Sequence, residues 1–508
     1  MLEALELDNE KFFNTECYLI YPKDRHREIV KILKGKGIRL NDLLWKQYDG
    51  WISTNPFVAM PLKNDREKVA GMQSSSIAGL FPFVSKTLYD DDGFYLGGSA
   101  RYPIFFNQFT KTGTRVNHNM VVFGKSGGGK SFFMKKLALR GGMENKKVFV
   151  LDPDNEYDFL CDVMKGNWID VAGEKAGRMN PFHVFASMKG DGGDVGDVAS
   201  HKLFLDEFFR TVLPEMEENC RLYLNECIAE LYAEFKISDL TVLSELKPED
   251  FPTFTDLFDL IQRKKKELAG NEARETVFDI LELNVKQFTE DRLFARLWNG
   301  KTTLDINNDF NVLNFQSLFA NGNTNIANGQ MLLLMRFLNQ EVIKNREYNL
   351  LGGNKKIEIW IDEAHRFIDP TFPVALKFMA TMAKQIRKYN GALIVATQNI
   401  ADFVGVSEQM RSMATAVINC CQNSMIFGLS ANDLNQIRDL YQNYNGGLTQ
   451  QELDYIGKAG QGEALFLVDT NTRIPLYIDI CDGEEQYILP PSMRNQFLSR
   501  KKELYSKN

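Results

Sequence analysis

"FGKSGGGKSFFMKKL", residues 123–137, sets three consecutive glycines directly before a helical pattern. The apolar residues 121–123 are typical of a short buried strand. Between strand and helix runs the pattern G-x-x-x-x-G-K-S, formed by Gly124, Lys125, Ser126, Gly127, Gly128, Gly129, Lys130 and Ser131. Glycines permit positive φ and close backbone approach, so successive N–H groups can turn inward around phosphate oxygens. The sequence therefore predicts a phosphate-binding loop (P-loop) at a helix N-terminus.

Two polar side chains of this pattern have specific expected roles. The Lys130 cation is expected to reach the β- and γ-phosphates of a nucleotide, and the Ser131 hydroxyl to ligate Mg²⁺. An ordinary glycine-rich turn is the alternative interpretation. The complete pattern, in its strand–loop–helix context, favours the P-loop.

"IEIWIDEAH", residues 357–365, is a second strong signal. Its apolar run predicts a buried strand that ends in two adjacent acids, Asp362 and Glu363. In P-loop ATPases a strand-end aspartate holds the Mg²⁺ shell, and the next acid can act as general base on the attacking water. The alternative, a surface acid pair after an edge strand, is disfavoured by the upstream P-loop. His365 is interpreted as a local hydrogen-bonding or packing residue, since no second ligand lies at metal spacing.

Two further strands also end in polar residues. "GALIVATQN", residues 391–399, ends at Gln398, whose amide is predicted to orient the water or sense the γ-phosphate, with helix capping as the alternative. Asp152 and Glu156 follow the strand in "VLDPDNEYDF", residues 150–159. Because strand C-termini form the ligand edge of such sheets, a water-positioning role is plausible, and turn formation is equally so.

A developing phosphate charge also needs a cation that the P-loop alone does not supply. In ring ATPases a neighbouring subunit contributes an arginine. Arg387, in "KQIRKYNG", and Arg411, in "EQMRSM", are the candidates. For each of them a solvated helix face explains the sequence at least as well.

The composition limits the class of protein. The 508 residues suffice for about three domains, and 44% hydrophobic with 25% charged residues is ordinary for globular protein. A net charge of −7 does not support a protein coated in nucleic acid, and the basic runs at 262–268 and 499–504 are interpreted as solvated helix faces. Seven cysteines without a C-x-x-C pair predict reduced thiols in the cytosol and no zinc site. Without a long apolar run or a signal-peptide pattern, membrane association is expected to come through partners.

Alternating strands and helices around the P-loop predict an α/β fold with a mostly parallel sheet. Residues 1–95 are interpreted as the C-terminal part of an N-terminal α+β domain, with strands at 16–22 and 93–98 and a helix within 24–38. The helical spacing of 201–300 predicts an all-helical insert, preceded by a glycine- and aspartate-rich loop at 187–200. The P-loop core is then expected to comprise 96–200 and 301–485, with a strand within 416–429 and a polar tail at 486–508.

An ordered set of motifs resembles a known family. The matching pieces, in order, are "NHNMVVFGKSGGGKSFFMK", "VLDPDNEYDFL", "GRMNPF", "EIWIDEAHRFI" and "RKYNGALIVATQN". Together they resemble the TraC/TrbE-type ATPase of type IV secretion and conjugation systems, over about residues 95–480. Residues before them look like the end of that family's first domain, which is usually longer.

The resemblance implies a RecA-like ATPase that uses ATP and Mg²⁺ and assembles as a hexamer or a dimer of trimers. It implies that Lys130 and Ser131 bind ATP–Mg²⁺, Asp362 supports the metal and Glu363 is the catalytic acid. Gln398 matches the family's sensor glutamine, Arg387 an arginine of its Arg-Lys motif, and residues 180–182 a motif near the nucleotide edge. Such a motor powers substrate transfer and pilus assembly at the inner face of the cytoplasmic membrane, with channel and coupling-protein subunits as partners.

Two rival functions share parts of this pattern. A DNA translocase of the HerA, FtsK or coupling-protein kind has the same core, and DNA contact is therefore left open. Coupling proteins normally carry transmembrane helices, for which the sequence gives no signal. A non-hydrolysing P-loop scaffold is disfavoured by the intact Asp362–Glu363 pair. An ABC transporter ATPase is excluded because the chain has no LSGGQ-like signature.

Overall fold

The chain forms two compact units, Met1–Ser85 and Lys86–Asn508, each of which is described by itself. The computed structural model describes residues 11–35, 37–38, 40–54, 70–79, 87–99, 102–144, 146–172, 177–184, 198–267, 272–289, 292, 294–304, 306–320, 322–368, 373–398, 400–401, 408–442 and 447–506. The predicted loop at 187–200 therefore lies, up to residue 197, outside the described residues. The predicted domain limits stay predictions.

The first unit combines a two-stranded antiparallel sheet with short helices. Its elements are β1 (Phe12–Thr15), α1 (His26–Gly35), α2 (Gln47–Ser53), β2 (Ala70–Gln73) and α3 (Ser74–Gly79). The expected α+β character and the helix within 24–38 are confirmed. The strand predicted at 16–22 is wrong. Strand pairing ends at Thr15, opposite Ala70, and beyond it the apolar residues Leu19 and Ile20 are exposed instead of buried in a sheet.

The second unit is built on one sheet of 11 strands in the order β4-β3-β13-β12-β11-β5-β10-β9-β6-β8-β7. From β11 to β7 every neighbouring pair is parallel, whereas β12, β13, β3 and β4 add antiparallel strands on one side. The mostly parallel α/β fold is therefore confirmed. The strands are β3 (Phe94–Ser99), β4 (Tyr102–Phe106), β5 (Met120–Phe123), β6 (Lys147–Asp152), β7 (Asn167–Asp170), β8 (Phe310–Asn314), β9 (Ile357–Ile361), β10 (Gly391–Thr397), β11 (Asn423–Phe427), β12 (Glu463–Leu467) and β13 (Arg473–Ile478).

Helices cover both faces of this sheet. Alternate residues of β5 enter two separate apolar clusters, Val121 and Phe123 in one and Met120 and Val122 in the other, because successive strand side chains point to opposite faces. The helices are α4 (Lys130–Met143), α5 (Asp158–Val163), α6 (Val198–Val212), α7 (Glu218–Glu234), α8 (Phe254–Glu267), α9 (Glu272–Lys286), α10 (Ala295–Trp298), α11 (Gln316–Ala320), α12 (Thr324–Leu350), α13 (Pro373–Gln385), α14 (Glu408–Asn419), α15 (Ala431–Tyr441), α16 (Gln450–Lys458), α17 (Glu485–Ile488) and α18 (Pro491–Ser506).

The helical insert consists of α6 to α9, as the sequence predicted. Its aromatic residues share one apolar cluster with the sheet, and Phe208 meets Trp298 edge to face at 4.9 Å between ring centroids. The insert is therefore continuous with the core on that face of the sheet.

Two segments contain a helix that the sequence did not predict. The strand expected within 416–429 is confirmed as β11, but it begins only at Asn423, because α14 continues to Asn419. A short apolar run does not distinguish a buried helix from a strand, and Val417 and Ile418 are buried in the helix. The expected polar tail contains α18, and its Phe497 stacks on Phe132 of α4 with 5.2 Å between centroids.

A buried lysine joins the P-loop helix to the antiparallel side of the sheet. Lys136, on α4, donates hydrogen bonds to the backbone carbonyls of Leu96, at 2.9 Å, and Asp479. Burial lowers the pKa of Lys136 to about 8, although Glu484 and Asp479 act in the opposite sense. The charged form therefore costs folding free energy at neutral pH.

This lysine predicts a specific pH dependence of stability. Since an exposed lysine titrates near 10.4, the unfolded chain binds one more proton than the folded chain between about pH 8 and pH 10, so Lys136 makes stability rise with pH in that window. We expect the unfolding free energy of the wild type, minus that of Lys136→Met, to rise by about 3 kcal/mol over this range. Urea unfolding at a series of pH values measures it, with the exposed Lys111→Met as control. A flat difference would contradict the assignment.

Candidate active site

The carboxyl ends of the central parallel strands bring the predicted site residues to one edge of the sheet. In β10, Thr397 is in register with Phe123 of β5, so Gln398 lies level with Gly124, where the P-loop begins. Val395 is in register with Ile361 of β9, so the acid pair that follows β9 lies one strand further along the same edge. The P-loop strand and the acid strand thus flank β10.

The P-loop has the backbone that its glycines predict. Gly127 and Gly129 adopt φ values of 74° and 110°, which L-residues with side chains rarely adopt. A Cβ at Gly124 would lie 2.8 Å from the Cβ of Phe427. Gly127 and Gly129 are therefore favoured by backbone conformation, and Gly124 by the lack of space beside Phe427.

Two loops from the other side of β5 brace the P-loop. The Lys125 N–H donates to the Gly428 carbonyl at 3.1 Å, and the Gly462 N–H donates to the Gly128 carbonyl at 2.9 Å. Helix α4 starts directly afterwards, with Phe133 N–H bonded to the Gly129 carbonyl at 3.0 Å. The preceding N–H groups of the first turn have no intrahelical acceptor and are oriented to bind an anion.

Lys130 connects the P-loop to both strand-end acids. Its side chain is 4% exposed, and its ammonium donates to Glu363 Oε1 and lies 3.4 Å from Asp362 Oδ1. The structure therefore brings together the three residues that the sequence assigned to phosphate, metal and water. The single positive charge of Lys130 partly offsets the negative charges of two carboxylates that would otherwise be buried without a cation.

The environments of the two acids push their pKa values in different directions. Burial raises the pKa of Asp362, against the opposing charge of Lys130. Burial also acts to raise the pKa of Glu363, but the adjacent His365 ring and the charge of Lys130 outweigh burial and hold the pKa below its usual value. Glu363 is therefore ionised at neutral pH, as a general base must be.

The backbone turns sharply at Glu363. This residue has φ 43° and ψ 51°, a left-handed conformation that is uncommon outside glycine. His365 Nδ1 lies 3.2 Å from Glu363 Oε2, in a direction too poor for a full hydrogen bond, so this buried oxygen retains acceptor capacity. His365 therefore lies against Glu363, as its expected local role requires.

Asp152 forms a turn, one of its two expected roles. Its carboxylate accepts backbone N–H bonds from Glu156 at 3.1 Å and Tyr157 at 2.9 Å. Burial raises the pKa of Asp152 to about 6, while these N–H donors act to lower it. Glu156 pairs with Lys135 at 3.2 Å near the surface.

Sequence reasoning missed Tyr157. Its hydroxyl donates to Asp362 Oδ2 at 2.9 Å, and its ring is fully buried. Burial raises the pKa of the phenol well above its usual range, so it stays a donor. Its place in the motif "VLDPDNEYDFL", five residues after the strand-end Asp152, was the available signal.

The two candidate arginines lie at opposite edges of the sheet. Arg387 is exposed in a 3₁₀ turn, Ile386–Tyr389, directly before β10 begins. The seven-residue strand β10 spans about 23 Å, so Arg387 does not reach the P-loop of its own chain. Arg411 lies in the first turn of α14, which runs back from the P-loop edge to the start of β11. Both roles stay predictions.

Residues 180–182 join the sheet to the helical insert. Asn180 donates from its amide to the Pro252 carbonyl at 2.8 Å, and the Phe182 carbonyl accepts from Tyr232 at 2.7 Å. This motif therefore orients the helical insert, and its expected place near the nucleotide edge stays a prediction.

The chemistry of the site fits a magnesium-bound triphosphate. Mg²⁺ prefers oxygen ligands, which Ser131 and Asp362 offer. Gly124 and Gly129 have little room for a side chain beside Phe427 and Gly462, and the retained acceptor capacity of Glu363 suits a water molecule. Ser131, Asp362 and the N–H groups of the P-loop would hold the metal and the phosphates.

The second unit combines a mostly parallel sheet, a P-loop and an acid pair at the end of β9. These features define a P-loop NTPase. The TraG P-loop domain family matches residues 97–456, and the chain belongs to this family. Among the described residues, no helix has both the length and the apolar character that crossing a bilayer requires.

Individual relatives agree with this membership. The structure of VirB4 from Thermoanaerobacter pseudethanolicus superposes with a TM-score of 0.64 and 26% identity, over 79% of this chain and 100% of that chain. An uncharacterized protein of Bacillus anthracis is 22% identical over 518 residues, 94% of this chain and 78% of that protein. Protein TraC of Escherichia coli (strain K12) is 22% identical over 445 residues, 85% of this chain but 46% of TraC. The chain is thus a nucleotide-hydrolysing motor protein of the VirB4/TraC type, which serves type IV secretion and conjugation, as the resemblance predicted.

Proposed function

We propose that this chain hydrolyses ATP to ADP and phosphate with Mg²⁺, and that hydrolysis powers transfer of substrate and assembly of the apparatus or pilus in a type IV secretion system. The observation that carries the proposal is the buried contact of Lys130 with Asp362 and Glu363 beside the P-loop. The residues for phosphate, metal and water are thereby assembled on one edge of one sheet.

The residues of the chain divide the chemistry among them. When a nucleotide binds, Lys130 would exchange its contacts with Asp362 and Glu363 for contacts with the β- and γ-phosphates. Its positive charge would then stabilise the negative charge of those phosphates. Ser131 and Asp362 would hold Mg²⁺, and the bound metal would supply positive charge that offsets the charge of the phosphates. Glu363, released from Lys130, accepts a proton from the attacking water, and Gln398, half-buried one strand away, orients that water.

In this proposal the chain works as a ring of identical subunits, a hexamer, at the inner face of the cytoplasmic membrane. Partners of the channel and coupling-protein type would hold it there. Family membership supports an assembled state. The P-loop, residues 124–131, supports it too, because it contains no arginine to neutralise the departing γ-phosphate.

Phosphate release from the purified chain tests the activity. We expect hydrolysis of ATP that requires Mg²⁺ and is indifferent to added DNA. Strong stimulation by DNA would favour the DNA-translocase alternative, and binding without turnover would favour a scaffold.

An arginine supplied by a second copy predicts that activity depends on assembly. Specific activity should rise with protein concentration, and Arg387→Ala should lose about 10³-fold in rate, the scale measured for such arginines in other NTPases. Mixing inactive Arg387→Ala with inactive Lys130→Ala should restore hydrolysis, because one interface type then combines an intact P-loop with an intact arginine. Phosphate release from the mixture measures the recovery.

Lys384→Ala is the control, since Lys384 is an exposed cation in the last turn of the preceding helix α13, outside the matching motif. It should leave turnover unchanged. The same mixture made with Arg411→Ala tests the other candidate. Turnover that is independent of concentration, with no rescue in either mixture, would refute the shared site.

A further inference from the structure

The Tyr157 side chain lies between the P-loop helix and the acid strand. Its ring is fully buried, and the Lys135 ammonium of α4 lies 5.5 Å from the ring centroid. Its hydroxyl donates to Asp362 Oδ2 at 2.9 Å. A phenylalanine would fill the same volume, so the hydroxyl itself calls for an explanation.

The turn that carries this hydroxyl is held by hydrogen bonds of the Tyr157 backbone. Asp152 accepts the backbone N–H of Tyr157 at 2.9 Å, and the Tyr157 carbonyl accepts from Cys161 N–H at 2.8 Å at the start of α5. The phenol therefore projects from a turn that its own backbone contacts hold rigid. A rigid donor can impose an orientation on its acceptor.

The acceptor is a carboxylate whose orientation matters. Asp362 Oδ1 accepts the Glu363 N–H at 2.9 Å and lies 3.4 Å from the Lys130 ammonium, on the side of the P-loop. Oδ2 is held by Tyr157. Together these three contacts fix the carboxylate plane and keep Oδ1 toward the place where the metal and phosphates would lie.

We propose that Tyr157 is a positioning residue, whose hydroxyl holds Asp362 in the orientation that binds Mg²⁺. The proposal rests on the proposed function of this site. Partners that orient metal-ligating side chains typically contribute about 10- to 100-fold in metal affinity or activity. Loss of the hydroxyl should therefore weaken Mg²⁺ binding while the nucleotide's own contacts with the P-loop persist.

The test titrates Mg²⁺ against the full chain with a fluorescent, non-hydrolysable ATP analogue. Tyr157→Phe should raise the Mg²⁺ concentration for half-saturation about tenfold or more, and leave analogue affinity in EDTA unchanged. With ATP, turnover of the variant should return to near the wild-type value at saturating Mg²⁺. Tyr232→Phe is the matched control, because Tyr232 is equally buried and its hydroxyl, on the insert, donates to the Phe182 carbonyl and not to an acid of the site.

The outcomes distinguish a failure of the positioning role of Tyr157 from a failure of the proposed function. If Tyr157→Phe lowers thermal stability as Tyr232→Phe does, yet keeps the wild-type Mg²⁺ dependence, the positioning role is overturned. Turnover that stays low at every Mg²⁺ concentration would overturn it too, because a purely structural defect is not rescued by metal. A wild-type chain that binds the analogue without regard to Mg²⁺ would instead overturn the proposed function.

Discussion

Lys130→Ala is expected to lower nucleotide hydrolysis by about 10³-fold or more. The lysine is the P-loop cation for the β- and γ-phosphates, and loss of one preorganised donor alone typically costs about 10²–10³ in rate. The structure adds a second effect. Removing the ammonium leaves Asp362 and Glu363 as buried carboxylates without their cation, at a cost of about 3–5 kcal/mol unless one of them takes up a proton.

Phosphate release, nucleotide-analogue binding and urea unfolding should be measured together on this variant. Lys264→Ala is the control, because Lys264 forms an ion pair with Glu230 on the insert, away from the P-loop. It should retain wild-type turnover. Near-wild-type hydrolysis by Lys130→Ala would refute the P-loop assignment.

Glu363→Gln should lower hydrolysis by about 10²–10⁴-fold while nucleotide binding survives. The amide keeps the shape of the side chain but cannot accept the proton of the attacking water, and general-base catalysis contributes on this scale. Phosphate binding depends on the P-loop backbone and Lys130, which the substitution leaves in place. Single-turnover phosphate release and analogue titration separate the two effects.

The exposed Glu218→Gln on the insert provides the comparison and should behave as wild type. Loss of nucleotide binding together with turnover in Glu363→Gln would make Glu363 a structural residue. The left-handed backbone at Glu363 sharpens this test, since glutamine tolerates that conformation about as poorly as glutamate.

Local chemistry explains why much of this site was predictable. The P-loop glycines, Lys130 and the acid pair are defined by short-range patterns, and parallel strands necessarily carry their C-terminal residues to one edge. Strand direction also explains the placement of Arg387, which precedes β10 and therefore lies at the far edge.

The remaining features depend on contacts between distant parts of the chain. The hydrogen bond of Tyr157 to Asp362 joins residues 205 positions apart, and no local pattern specifies it. The segment at 16–22 was wrongly predicted as a strand, and the strand within 416–429 begins later than its apolar run, because a short apolar run does not show which of its residues find burial partners in a sheet.

The position of β5 within the sheet has a consequence for synthesis of the chain. Its neighbours β10 and β11 emerge from the ribosome only about 270 and about 300 residues after it, which makes its pairings strongly non-local. Translation proceeds at about 5–20 residues per second, so β5 exists for roughly 15 to 60 seconds before its neighbouring strands are synthesised. During this time both of its edges are unpaired and both of its apolar faces are uncovered. Nascent chains should therefore engage chaperones over this interval, and nucleotide can stabilise the protein only once β10 and β11 have closed around the P-loop strand.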